Sequence, residues 1–315
     1  MPVRKRWLVL LVGAMLLGAV GCGDDSGGEP ERLSGPIAID ASEALAPFAG
    51  AAAARFERRH ASVRAAVRRG TTHGAFARLC AGEVGIAAVS RPIGQREVEA
   101  CRRRGVVFFD LPVAADAIAI LAHPDLPIRC LTTDQLAQLW ARDGPRRYRD
   151  LGDDPATGAR LPDEPVRLYG PGRGSAAYDQ FTQAFDDDLD VIRSDYTVVD
   201  DGRALVHAIA ADPAGLGYLR FSAYRAIDPS LRLLRIDDGD GCVAPTLESI
   251  PGGEYTLTHS LYVYVSRDAL RRSQIAAFLR FVLDEHAPLA EASGTAPLSD
   301  ETASQAEQIL TRALD

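Results

Sequence analysis

Three short stretches combine residue types that can hold an anion without a metal. Ile39-Asp40-Ala41-Ser42-Glu43-Ala44 ends an apolar run and opens a helical pattern at Leu45. Gly70-Thr71-Thr72-His73-Gly74-Ala75-Phe76 precedes a second, and Tyr169-Gly170-Pro171-Gly172-Arg173-Gly174-Ser175 leads into a third at Tyr178. In each, small or hydroxyl residues stand where the first N–H groups of a helix lack partners. Those groups and the helix dipole favour negative charge, so several of them converging would build an oxyanion site. Singly, each junction is also what an ordinary N-cap looks like, because Ser, Thr and Asp are preferred there for structural reasons. Their recurrence carries the weight. Ser90-Arg91, and Arg173 in the third loop, add donors for charge-assisted contacts, although an arginine-rich chain also leaves many guanidinium groups in solvent. The candidate ligand contacts are Ser42, Glu43, Thr71, Thr72, Ser90, Arg91, Gly172, Arg173, Gly174 and Ser175.

Covalent chemistry finds little support. There is no GxSxG elbow, no HExxH helix and no carboxylate pair at a telling spacing, and the six histidines are scattered. His73, beside two threonines, reads as a loop residue rather than a base. No catalytic residue, metal site or cofactor is expected, and a hydrolase is the weakest of the functional readings.

Short apolar runs alternate with helical patterns, which indicates α/β architecture. Strands are expected at 36–40, 63–67, 85–89, 106–109, 117–122, 166–169, 216–219, 231–235 and 261–266. Leu45, Phe48, Ala52 and Phe56 recur at helical spacing, as do Tyr178, Phe181 and Phe185, and Ile275, Phe278, Phe281 and Val282. Residues 141–164 and 237–253, rich in turn formers, read as long surface connections.

Arg4, Lys5 and Arg6 followed by the apolar run Trp7 to Val20 read as a secretory signal, too short to span a bilayer comfortably. Leu17-Gly18-Ala19-Val20-Gly21-Cys22 is similar to a lipobox, with Ala19 where Leu is usual. Residues 1–21 would then be a signal peptide, Cys22 the lipidated N-terminus, and 22–35 a flexible tether; secretion with an unpaired Cys22 is the alternative. Losing Arg4, Lys5 and Arg6 takes the formal charge from −8 to −11, which argues against nucleic acid or anionic lipid as a partner. Roughly 280 residues remain, enough for two lobes with separate cores. Cys80, Cys101, Cys130 and Cys242 form no zinc pattern, and an even number in an exported chain favours disulfides. Three pairings are open. Cys80 with Cys101, and Cys130 with Cys242, is preferred; buried thiols are the alternative.

Several ordered stretches resemble the PstS phosphate-binding proteins, specifically their SphX-like branch. They are Ile39-Asp40-Ala41-Ser42, Phe76 to Glu83, Ser90-Arg91-Pro92-Ile93, Leu131 to Leu136, Tyr169-Gly170-Pro171-Gly172, Gly215-Leu216-Gly217-Tyr218 and Leu261 to Val265. The resemblance runs from about Pro36 to about Glu285. It implies a type II periplasmic-binding fold, two α/β lobes closing over ligand like a hinged clamp, with residues 36–113 plus 256–315 as one lobe and 114–255 as the other. The preferred cystine pairs suit that division. It further implies a monomer in the cell envelope, periplasm or outer surface, that captures phosphate and delivers it to an ABC importer of permease and ATPase subunits.

Carried over by position, Ser42, Glu43, Ala44, Gly70, Thr72, Arg91, Ser175, Ala176 and Ala177 occupy the family's anion-contact positions. The family's Gly-Ser-Ser-Thr is here Ala41-Ser42-Glu43-Ala44, and its Ser-Gly-Thr is Ser175-Ala176-Ala177. Arg173 stands where Thr is common, Gly85 where an Asp precedes the Ser-Arg pair, and Thr258-His259-Ser260 where Ser-Arg-Pro is usual. A carboxylate about 4 Å from phosphate, at an effective dielectric of about 20, costs about 4 kcal/mol, near a thousandfold in affinity. Glu43 therefore either faces solvent in the first helical turn, or accepts the proton of monohydrogen phosphate, a role an Asp plays elsewhere in the family. A diverged clamp for another oxyanion, or a sensor or partner-binding protein, is the alternative function.

Overall fold

The computed structural model describes residues 33–185, 192–227 and 230–315. The expected signal peptide, Cys22 and most of the tether lie outside the described residues. In chain order the first elements are β1 (Gly35–Ser42), α1 (Ala46–Arg59), β2 (Val63–Gly70), α2 (Thr72–Cys80), β3 (Ile86–Val89), α3 (Gln95–Arg103) and the long β4 (Phe108–Ala122). There follow β5 (Cys130–Thr132), α4 (Thr133–Trp140), β6 (Arg167–Gly170), α5 (Ala176–Gln183), β7 (Thr197–Val198), α6 (Gly202–Ala210), β8 (Gly215–Arg220) and α7 (Phe221–Ile227). The chain closes with β9 (Arg232–Leu233), β10 (Arg235–Asp237), β11 (Cys242–Val243), α8 (Ser249–Gly252), β12 (Thr258–Ser266), α9 (Arg267–Leu270), α10 (Ser273–Asp284), α11 (His286–Ser293) and α12 (Asp300–Leu314).

One sheet runs in the order β2-β1-β3-β12-β4-β8-β6-β7, and β9 also pairs with β4. β1 is parallel to β2 and β3, and β6 is parallel to β8 and β7, as expected of βαβ crossovers, while β12 and β4 run antiparallel to their neighbours. Two large cores flank this arrangement, and a smaller third cluster of Phe76, Leu79, Ala87, Val89 and Tyr264, into which α2 packs, covers the face of β3 and β12 opposite the first core. The first packs Ile37, Phe48 and Phe56 against Val113, Val263 and Phe278. The second packs Ile118, Leu136 and Trp140 against Leu168, Leu216 and Tyr218.

β4 joins them. Its residues 108–117 pair with β12 and its residues 118–122 pair with β8. The sequence suggested two strands, 106–109 and 117–122, broken at Pro112. The chain instead stays extended, because the pairing slips beside Pro112, between Leu261 and Tyr262, and a bulge tolerates a residue with no N–H to donate. The expected strand 231–235 divides into β9 and β10, and β5, β7 and β11, each of two or three residues, carry no periodicity to read. Residues 141–164 are not purely surface: Tyr148 and Leu161 are buried, and so is Asp154, whose carboxylate accepts the N–H groups of Arg129 and Ala156.

Cys80 is bridged to Cys101 and Cys130 to Cys242. The first bridge ties the end of α2 to α3, and the second ties β5 to β11. For a loop of this size the chain-entropy model gives the first bridge about 3 kcal/mol. Replacing Cys80 and Cys101 together by Ser should lower the unfolding free energy by about that amount in guanidinium titrations, with a steeper slope because the freed unfolded chain exposes more surface.

Candidate functional site

A cleft of about 160 Å³ is lined by residues from both halves of the sheet: Ser42, Glu43, Gly70, Thr71, Thr72, His73, Ser90 and Arg91 on one side, Gly174, Ser175, Ala176, Asp179, Gln180 and Gln183 on the other. Three chain reversals meet there. β1 ends at buried Ser42, whose Oγ and carbonyl both face the N–H of Leu45. Thr71 caps α2, its Oγ1 accepting the N–H of Gly74 at 3.0 Å. Ser175 caps α5, its Oγ accepting the N–H of Tyr178 at 3.1 Å, and Gly174 before it takes φ +87°, where a Cβ would be strained. A capping hydroxyl uses a lone pair for its helix and keeps its O–H to donate. α2 and α5 therefore bring capped N-termini from opposite halves of the sheet to one space, with the positive ends of both dipoles and donors in their first turns.

Thr72 Oγ1 and Ser90 Oγ lie 3.1 Å apart, which fixes the two hydroxyls relative to each other. Across the cleft Gln180 Nε2 donates to the Ser90 carbonyl at 3.1 Å, a direct bond between the two sides. Arg91 is held as a fork. Its Nη1 and Nη2 donate to Glu97 Oε2 and Oε1 at 2.8 and 2.7 Å, and its guanidinium lies 5.3 Å from the Phe76 ring centroid. Hydrogen bonding to Glu97 pushes Arg91 further up, so it stays charged. Burial alone would raise the Glu97 carboxyl, but its bonds from Arg91 and the Gly94 N–H outweigh that and hold it below its usual range.

Eight of the ten sequence-derived contacts thus line one cleft. Gly172 and Arg173 are not among its lining residues. The Gly172 N–H is taken by Asp200 Oδ1 at 2.8 Å, and the Arg173 guanidinium lies 5.6 Å from the Tyr178 ring centroid, because the loop bends outward ahead of Ser175. Glu43 is exposed and sits in the turn before α1, two residues ahead of its N-cap Leu45, rather than in the first helical turn. The sequence reading missed Asp179, Gln180 and Gln183. Asp179 and Gln183 follow Ser175 at i+4 and i+8, a polar stripe opposite the core face of Tyr178 and Phe181, and that spacing was the signal available. Asp179 is half-buried, and burial raises its carboxyl above the usual range despite Arg91.

Behind the cleft, a second chamber shares Ser90, Arg91, Gln180 and Gln183 and reaches Thr256 to Ser260 on the crossing strand. His259 pairs across the sheet with fully buried Asp116, whose carboxylate accepts Ser222 and Ala117 N–H groups at 3.0 and 2.9 Å. The His259 Nε2 is shut off from solvent with no partner among the described groups, and burial drives the imidazole down to about 4. Among the described residues no cluster of His, Cys, Asp or Glu could hold a metal, and no helix is long and apolar enough to cross a membrane.

Two cores joined by crossing strands, with helix N-termini from opposite halves of the sheet meeting over one cleft, define a two-lobed binding protein. The chain belongs to the PBP superfamily, whose domain it matches over residues 26–286, and within it to the family of SphX and PstS. It is 31% identical over 274 residues to protein SphX of Synechococcus elongatus, covering 86% of this chain and 80% of that one. It is 25% identical to the phosphate-binding protein PstS of Staphylococcus epidermidis, covering 92% and 88%. A possible phosphate binding protein from Planctomyces limnophilus superposes with a TM-score of 0.67 at 29% identity, covering 90% of this chain and all of that one. An ABC-type phosphate transport receptor from Vibrio cholerae gives 0.68 at 18% identity, covering 82% and 99%, a likeness of fold.

His259 gives the fold a pH signature. Between about pH 6.5 and about pH 4 the unfolded chain binds a proton that the folded one refuses, so stability falls as pH falls, by no more than about 3 kcal/mol. His259→Gln should flatten that part of the stability profile in denaturant melts, leaving the slope below about pH 4 to the carboxylates.

Proposed function

We propose that the protein captures inorganic phosphate in this cleft and delivers it to an ABC importer, with no covalent chemistry of its own. The observation that carries the reading is the meeting of α2 and α5, from opposite halves of the sheet, with Thr71, Thr72, Ser90 and Ser175 hydroxyls and the Arg91 guanidinium lining one cleft. Such a constellation suits a compact tetrahedral oxyanion, which can accept many donors at once. The named relatives include phosphate-binding proteins and an ABC-type phosphate transport receptor, which favours the same ligand and use. Residues 36–113 plus 256–315 would be one lobe and 114–255 the other, hinged where β4 and β12 cross. Residues 1–21 would be the signal peptide and Cys22 the lipid anchor of a monomer in the cell envelope, a reading that rests on the basic start, the apolar run and the small residues before Cys22; mass spectrometry of the N-terminal peptide tests that part.

Calorimetric titration with phosphate, after ligand is stripped by reversible denaturation, tests the reading. Phosphate should bind far more tightly than sulfate near neutral pH. Thr72→Val and Ser175→Ala should each weaken phosphate by about tenfold, the worth of one hydrogen bond to an anion. A folded protein that gives no heat with phosphate sinks the reading. The alternative, a diverged clamp for another oxyanion or a sensor, draws on Glu43, Ala44, Ala176 and Ala177, where the family's hydroxyls and glycine are lost.

A further inference from the structure

The cleft is poor in positive charge for a site that takes a multivalent anion. Among the described residues that line it, Arg91 is the one arginine and there is no lysine, while Glu97 already grips both terminal nitrogens of that guanidinium. His73 lies on the same wall, largely exposed, with Nδ1 3.4 Å from Glu97 Oε1. Two carboxylates, Glu43 and Asp179, face the same space. Glu43 is exposed at its turn, where water screens it. Asp179 is half-buried in the first turn of α5, and its carboxylate accepts no hydrogen bond from any described group. The charged and titratable groups around it are Arg91 with Glu97 behind, Glu43 and His73 on the facing wall, and on its own side Tyr178, Tyr218 and Arg173, whose guanidinium lies over the Tyr178 ring on the loop before α5. Of these Arg91 favours the ionised carboxylate, and burial works against it.

A phosphate dianion placed beside an ionised Asp179 puts three negative charges against one guanidinium that is already paired. Passing the dianion's own proton toward the carboxylate makes a hydrogen bond but leaves that total unchanged. One further proton removes a charge and supplies a second donor. We propose that binding in this cleft is coupled to proton uptake, so that Asp179 and the bound phosphate together hold one proton more than they carry when apart. The proton comes from solvent, no covalent bond changes, and its place is between an Asp179 oxygen and a phosphate oxygen. This inference rests on the phosphate reading of the same cleft.

Titrating the purified full-length protein with inorganic phosphate at about pH 8, in two buffers of different ionisation enthalpy, counts the protons taken up. About one proton per phosphate is expected, with affinity falling by about tenfold per pH unit above the second ionisation of phosphate. Asp179→Asn, of the same shape and able to donate, should abolish the uptake and flatten the pH dependence. Equal phosphate heats in both buffers for the wild type overturn the inference and leave the phosphate reading standing. Uptake that persists in Asp179→Asn, or that vanishes in Glu43→Gln instead, overturns the role of Asp179. A folded wild type that ignores phosphate strikes the phosphate reading first, and the inference with it.

Discussion

A strand of fifteen residues has to serve two hydrophobic cores at once, and the rest of the molecule is arranged around that demand. Leu111 and Val113 of β4 belong to the first core, while Ile118 and Leu121 belong to the second. The changeover occurs where β4 leaves β12 for β8. Both faces of the strand are covered there, so its polar insertions must be satisfied internally. Asp116 meets that requirement by accepting two backbone N–H groups and the Ser222 hydroxyl, with Arg220 Nη1 3.8 Å away. The crossing is thus a polar joint within apolar walls, and the cleft opens beside it.

The cleft shows how little of a binding site needs to be built by side chains alone. The strand ends deliver Ser42 and Ser90, and the helix starts deliver Thr71 and Ser175. Hydroxyls that a helix requires for its own termination double as donors toward the space between the lobes. Arg91 supplies the fixed charge, but Glu97 sets its orientation, and Glu97 is itself anchored by the Gly94 N–H. Positioning is layered: α3 holds Glu97, Glu97 holds Arg91, and Arg91 faces the cleft.

Much of this was legible in the residues. Alternating apolar runs and helical patterns indicate the α/β class by their periodicity, whereas the two-lobed fold was readable only through the resemblance of the ordered motifs to a known family. Ser42, Thr72, Ser90 and Ser175 could be singled out because capping and turn chemistry is local. Gly172 and Arg173 belong to the same loop motif, yet the loop's outward bend is decided by distant partners, Asp200 for one and the Tyr178 ring for the other. Asp179 went unread for a related reason. The polar stripe after Ser175 marks its position on α5, but not that it shares a cleft with Arg91. The continuity of β4 past Pro112 depended on a register slip in its partner strand, which the sequence of β4 by itself does not contain.

The bridge between Cys80 and Cys101 bears on how the site is held together. It fastens α2, whose first turn faces the cleft, to α3, which carries Glu97. Until those sulfurs are joined, the segment that aims Arg91 and the segment that presents Thr71 and Thr72 are linked only by a short chain and its packing. The bridge therefore limits how far the two segments that line the cleft can drift apart, and it does so only where the surroundings are oxidising.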